Sequence, residues 1–131
     1  MLKPGIIAWM LMAASSVLAQ SDLAARREVK EVRLLLLEAI DSPQGQARGR
    51  LTGELVDAIG RQYGTSAPIN VDVITLVRYA QEGCRRLSVL IWQEGVRLRQ
   101  GDPGSRQSVE FGINYCRSGL PPQSLKRVGE P

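Results

Sequence analysis

The chain has 131 residues, a formal net charge of +4 and no histidine. A chain of this length buries one modest core, and the missing histidine excludes the commonest general base, the usual serine or cysteine triads and most zinc sites. No glycine-rich phosphate loop or metal-ligand cluster is present, so no cofactor is expected. The carboxylates near the predicted sheet form no pair of the kind a glycosidase needs, and the sequence therefore favours a protein that is not an enzyme. They are Glu82, Glu94, Asp102 and Glu110.

Residues 1–19 have the pattern of a secretory signal peptide. Lys3 supplies the positive charge, an uncharged apolar run follows to Leu18, and a short-residue motif ends at Ala19. The run is shorter than the ~20 residues that span a bilayer. We predict cleavage after Ala19, a periplasmic location and no membrane span in the mature chain. Retention as an uncleaved anchor is the alternative.

The two cysteines, Cys84 and Cys116, both lie in the predicted mature chain. An even number of cysteines in an oxidising compartment predicts one disulfide, and two free thiols are the alternative. Basic residues dominate from residue 73 onwards, which suits an acidic partner or simply gives solubility. Nucleic acid is not predicted as a partner, because aromatic residues for base stacking are few.

The first predicted element of the mature chain is an amphipathic helix over residues 22–40, with apolar residues at three- and four-residue steps. A polar loop with proline and glycine follows. The next segment is ambiguous between strand and helix. We favour a short strand within 48–55 and a short helix over 54–63.

Strong alternation of β-branched and other residues predicts strands over about 70–80, 84–93 and 107–116. A three-residue hairpin loop, with Gly83 at its left-handed position, would place Thr75 opposite Val89. Pairing the two cysteines across the other strand pair places Val89 opposite Phe111. The predicted fold class is therefore α+β, with the N-terminal helix packed on the odd-numbered face of a small antiparallel sheet.

The even-numbered face of this sheet mixes apolar and basic side chains. One interpretation is that the 48–55 segment or the second helix covers it. The other is a partner-binding surface. The residues of that predicted surface are Ile74, Arg78, Arg86, Leu90 and Trp92.

Residues 20–116 are predicted to form the single domain, and residues 117–131 a mobile tail. Within the second half, the segments EGCRRL (82–87), QEGV (93–96) and FGINYCRSGLPP (111–122) are similar to segments of small exported proteins from conjugative, type IV secretion gene clusters. The resemblance covers about residues 65–122. It implies an accessory role in the envelope during DNA transfer and brings no catalytic residues.

The favoured interpretation is a periplasmic, non-enzymatic binding or assembly module with an envelope protein as partner. The sequence does not determine its oligomeric state. A small secreted inhibitor of an envelope enzyme, such as a lysozyme or a protease, is the alternative, and the polar loop Gln100–Arg106 is its candidate inserting segment. A cell-wall enzyme that uses carboxylates ranks last.

Overall fold

The structure, a computed structural model, describes residues 26–131. The predicted signal peptide and the first residues of the predicted 22–40 helix lie outside the described residues. The described part of the chain contains five strands and two helices, and its fold class is α+β as predicted. In chain order they are β1 (Arg27–Val29), α1 (Val32–Asp41), β2 (Gln46–Leu51), α2 (Glu54–Gln62), β3 (Ile69–Arg78), β4 (Cys84–Val96) and β5 (Ser105–Cys116).

The strands lie in the sheet in chain order. β2 to β5 are antiparallel, whereas β1 runs parallel to β2. The prediction of an antiparallel sheet was therefore wrong at this edge, because the sheet is mixed. The ambiguous segment resolves into a strand and then a helix, as favoured above.

The N-terminal helix is shorter than the sequence pattern predicts. Residues 27–29 are extended and pair with β2, which buries Val29 in the core, and α1 begins only at Val32. Glu31, the residue before it, has an extended backbone and makes no side-chain cap. Helical spacing predicts α1 correctly, but the predicted helix extends too far towards the N-terminus. Residues 27–29 pair with β2 instead of forming helix.

The β4–β5 register agrees with the prediction. Val89 faces Phe111, and Cys84 faces Cys116. The two cysteines form a disulfide, and their Cα atoms lie 4.0 Å apart. This spacing fits the close, non-hydrogen-bonded kind of antiparallel pair, in which a disulfide is accommodated most easily.

The predicted β3–β4 register was wrong by two residues, since Val89 faces Val73 and not Thr75. The amide of Tyr79 donates to the carbonyl of Cys84 at 3.3 Å, so the turn contains four residues instead of three. A bulge between Thr75 and Val77 adds the second residue of the shift. The two-residue shift before the bulge leaves the same side chains on the core face. Beyond the bulge the shift is one residue, so the side chains there change faces.

The core lies between α1 and the odd-numbered face of the sheet. Its largest fully buried side chains are Leu35, Val71, Val73, Leu87 and Val89. α1 approaches β2 so closely that a Cβ atom on Gly49 would lie 2.6 Å from a methyl carbon of Leu35. Glycine is therefore needed where the helix crosses this strand.

The sequence predicts no packing partner for residues 117–131. In the structure, the amide of Ala80 donates to the carbonyl of Lys126 at 2.7 Å, and the amide of Val128 donates to the carbonyl of Arg78 at 3.0 Å. Arg117 also forms an ion pair with Asp41 at 2.6 Å. Part of this segment thus lies along the edge of β3 that β2 leaves open.

Candidate protein-binding surface

Within residues 26–131, the odd-numbered face of the sheet is only partly covered. α1 packs mainly against β2 and β3. On the same face, Val109 is 55% exposed and Phe111 is 43% exposed. A helix about 10 Å wide covers roughly two strands that are spaced about 4.8 Å apart, so one short helix leaves the far side of five strands open.

An apolar groove of about 280 Å³ continues from this open area. The strands contribute Ile91 and Val109, and the loop after β4 contributes Leu98. Ile59 of α2 and Tyr63, the residue that follows this helix, form the other wall. We call this groove together with Phe111 the helix-free surface. Apolar residues that are contiguous and exposed in this way are typical of a docking site for another protein.

A polar contact fixes one end of the groove. The side-chain amide of Gln93 donates to the carbonyl of Ala67 at 2.9 Å, and Gln93 is buried. This bond ties β4 to the segment between α2 and β3. It therefore holds α2 beside the sheet as one wall of the groove.

The opposite, even-numbered face has mostly polar side chains. Two arginine side chains lie against its largest aromatic residue, Trp92. The guanidinium of Arg26 lies over the ring of Trp92 at 4.7 Å from its centroid, and that of Arg106 lies over it at 5.8 Å. Arg26 is buried and also bonds to Asp72 at 2.9 Å. Cations over the ring shield Trp92 from docking partners.

The structure separates the five residues of the predicted partner surface. Ile74, Leu90 and Trp92 share the even-numbered face, where Ile74 is 44% exposed. Arg86 lies on that face too and donates to the side-chain oxygen of Asn114 at 3.2 Å. Arg78 does not join them, because it follows the bulge and therefore lies on the α1 side.

On that side Arg78 belongs to an arginine cluster at the C-terminal end of α1. Arg78 donates to the carbonyl of Pro43 at 3.4 Å, and the neighbouring Arg85 donates to the carbonyl of Ala39 at 3.2 Å. Burial, and then the charge of Arg78, lower the pKa of the Arg85 guanidinium. These bonds satisfy carbonyl groups at the negative end of the helix, so the cluster has a structural role.

The candidate carboxylates are dispersed. Glu110 accepts a hydrogen bond from the hydroxyl of Ser88 at 3.1 Å, and Glu94 forms an ion pair with Arg106. Within residues 26–131, no group of three or more histidine, cysteine, aspartate or glutamate side chains is placed to hold a metal ion. No helix in the same range has the length and apolarity needed to cross a membrane.

Sequence reasoning missed the helix-free surface because it assigned Val109 and Phe111 to the core. The alternation in β5 correctly places both on the core face of the sheet. The signal that could have revealed their exposure is the number of strands, since one helix cannot cover so wide a sheet. Comparison of the chain with protein-family models, with curated proteins and with solved structures finds no match.

Proposed function

We propose that this chain is an exported, non-enzymatic binding or assembly module of the bacterial envelope that docks through its helix-free surface. The exposure of Val109 and Phe111 beside the apolar groove supports this proposal most directly. Burying side chains of this kind against a partner supplies the favourable energy of docking. The similarity of residues 65–122 to small exported proteins of conjugative gene clusters favours a conjugation or type IV secretion machine as the setting.

The disulfide is consistent with an oxidising compartment, where such bonds persist. If the chain is exported as proposed, mass spectrometry of protein purified from a Gram-negative periplasm should find Gln20, or its pyroglutamate form, at the N-terminus. Soluble cytosolic protein that retains Met1 would contradict the proposed location.

The helix-free surface suits a partner better than the even-numbered face does. Phe111 and Ile74 are almost equally exposed, but their surroundings differ. Ile74 faces Gln46 and Ser88 on the neighbouring strands, whereas Phe111 adjoins a groove lined mainly by apolar side chains. A partner therefore buries more apolar area at Phe111 for the same loss of polar hydration.

In the inhibitor hypothesis, the inserting loop lies at the same end of the molecule as the apolar groove. The loop between β4 and β5 is exposed, and Leu98, at its start, is 62% exposed and lines the groove. A lysozyme or protease recovered as the bound protein would favour that function over assembly. A component of a secretion machine would favour the assembly role.

The test compares the two faces with matched substitutions. Phe111→Thr and Ile74→Thr each replace an exposed apolar residue with one that still favours a strand. Each tagged variant is used to capture proteins from an envelope extract of the native host, and the captured proteins are quantified by mass spectrometry. We expect Phe111→Thr to reduce capture of the specific partner about tenfold or more, as for a central docking residue, and Ile74→Thr to leave it unchanged.

Circular dichroism and an intact-mass assay for the disulfide confirm that both variants are folded. If Ile74→Thr abolishes capture and Phe111→Thr does not, the binding surface is the even-numbered face and the proposed site is wrong.

A further inference from the structure

β5 forms one edge of the sheet, and within residues 26–131 its strand pairing is with β4. The amide of Arg117 donates to the carbonyl of Gly83 at 2.8 Å. This bond shows which residues of β5 direct their backbone groups towards β4. Odd-numbered residues of β5 direct their backbone groups towards β4, and even-numbered residues direct theirs outwards. Four consecutive outward positions are Ser108, Glu110, Gly112 and Asn114.

This edge has few of the features that prevent strand addition. The segment Ser105–Cys116 contains neither proline nor lysine, and its pairing with β4 is regular from residue 107 to residue 116. Proteins usually protect long edges with such residues or with bulges, because an open edge is a template for another strand. β1, at the other end of the sheet, is only three residues long.

We propose that a second copy of this chain binds this edge, with the two β5 strands antiparallel and the two-fold axis at Phe111. The second copy would contact Phe111 and Val109 where the helix-free surface reaches the sheet edge, and the proposal therefore rests on the proposed function. It makes the chain a self-associating module whose sheet continues across the dimer.

The apolar side chains of β5 complement themselves in this arrangement. Phe111 lies opposite Phe111 of the second copy, and Val109 lies opposite Ile113 of the second copy. Because odd-numbered residues then form the close, non-hydrogen-bonded pairs, their side chains are in direct contact. An aromatic pair covers the centre of the interface, where the single chain leaves Phe111 and Val109 exposed.

The charges of the other face are complementary as well. Glu110 lies opposite Gly112 of the second copy. The space beside Gly112 is filled by the guanidinium of Arg86, whose Nη2 lies 2.7 Å from the position a Cβ atom would take. The carboxylate of each copy therefore approaches an arginine of the other, and symmetry repeats the contact. This explains why a glycine stands in the middle of a long strand.

Three other registers are less favourable. An axis at Glu110 sets two carboxylates directly opposite each other, and an axis at Ser108 pairs Val109 with the polar Gln107. An axis at Gly112 pairs Ser108 with Cys116 of the second copy. The amide of Cys116 already donates to the carbonyl of Leu120 at 3.2 Å, so it is not available for that pair. The axis at Phe111 avoids all three conflicts.

The first experiment measures the mass of the purified chain by sedimentation at about 1 µM to 1 mM. We expect a reversible dimer, with Glu110→Arg and Arg86→Glu each raising the dissociation constant about tenfold or more and the double variant restoring it. Glu82→Arg is the matched control, because it makes the same charge change in the exposed turn before Cys84. It should leave the dissociation constant unchanged.

The second experiment tests the axis by cross-linking under oxidising conditions. Phe111→Cys should form a disulfide with itself in the dimer, whereas Val109→Cys should not, because it faces Ile113. Peptide mapping confirms that Cys84 and Cys116 remain paired. Cross-linking of Val109→Cys instead would overturn the register.

A monomer at every concentration would overturn the dimer. If that monomer still captures another envelope protein and Phe111→Thr abolishes the capture, the proposed function stands and the occupant is a foreign partner. If Phe111 affects neither measurement, both proposals fail.

Discussion

Val71 and Val109 lie on the same face of the same sheet, yet Val71 is fully buried and Val109 is 55% exposed. Val71 belongs to the half formed by β2 and β3, which α1 covers, and Val109 belongs to the open half at β5. Alternation along a strand determines which side chains share a face. Whether that face is buried depends on how far the covering helix reaches.

The two halves are held together by different means. In the covered half, α1 packs Leu35 directly onto Gly49. In the open half, two long strands pair along most of their length, and the Cys84–Cys116 disulfide joins them at one end. A covalent bond and an extended ladder there take the place of a packed helix.

The largest effect is expected from removing the covalent bond. Replacing both cysteines with alanine should lower the free energy of unfolding by about 2–5 kcal/mol, since the bond closes a loop with a sequence separation of 32. Urea unfolding measures the loss, and the reduced wild-type chain is the control. Hydrogen exchange should accelerate more at Ile113 than at Val73. Equal acceleration in both halves would contradict the local role assigned to the bond.

Truncating one apolar side chain in each half should destabilise the two halves to different extents. Leu35→Ala should cost about 3–4 kcal/mol, because the side chain is fully buried. Phe111→Ala removes more atoms but should cost only about 1 kcal/mol in dilute protein, because much of the ring is already in water. Thermal and urea unfolding of both variants give the values. A larger loss for Phe111→Ala would show that the open half is packed in solution.

Adding a methyl group to a glycine in each half gives the smallest contrast. Gly49→Ala should cost about 1–3 kcal/mol, since the new Cβ would lie 2.6 Å from Leu35 and 3.0 Å from the carbonyl of Arg27. Gly112→Ala meets only the flexible guanidinium of Arg86 and should change stability by less than about 0.5 kcal/mol. Urea unfolding of both variants, at protein concentrations below the proposed dissociation constant of the dimer, gives the two free energies. Equal costs would contradict the close helix–strand approach at Gly49.

Local sequence pattern predicted the central features of the sheet. Two cysteines at the ends of alternating segments predicted the disulfide, and with it the pairing of Val89 with Phe111. These predictions succeeded because register in a half-buried sheet is set by a side-chain period of two, which can be read directly from the chain. Local pattern favoured a short strand and then a short helix in the next segment but left the choice between them open, and the structure has them at Gln46–Leu51 and Glu54–Gln62.

Other features depend on contacts that local pattern does not report. Pairing with β2 turns residues 27–29 into a strand and shortens α1. Because α1 packs mainly on β2 and β3, Val109 and Phe111 stay exposed. The bulge before Val77 moves Arg78 to the α1 side, away from the other residues of the predicted partner surface. In both cases the outcome depends on contacts between residues distant in sequence. Periodicity reports the orientation of a side chain within its own element, and only the packed fold determines what lies opposite it.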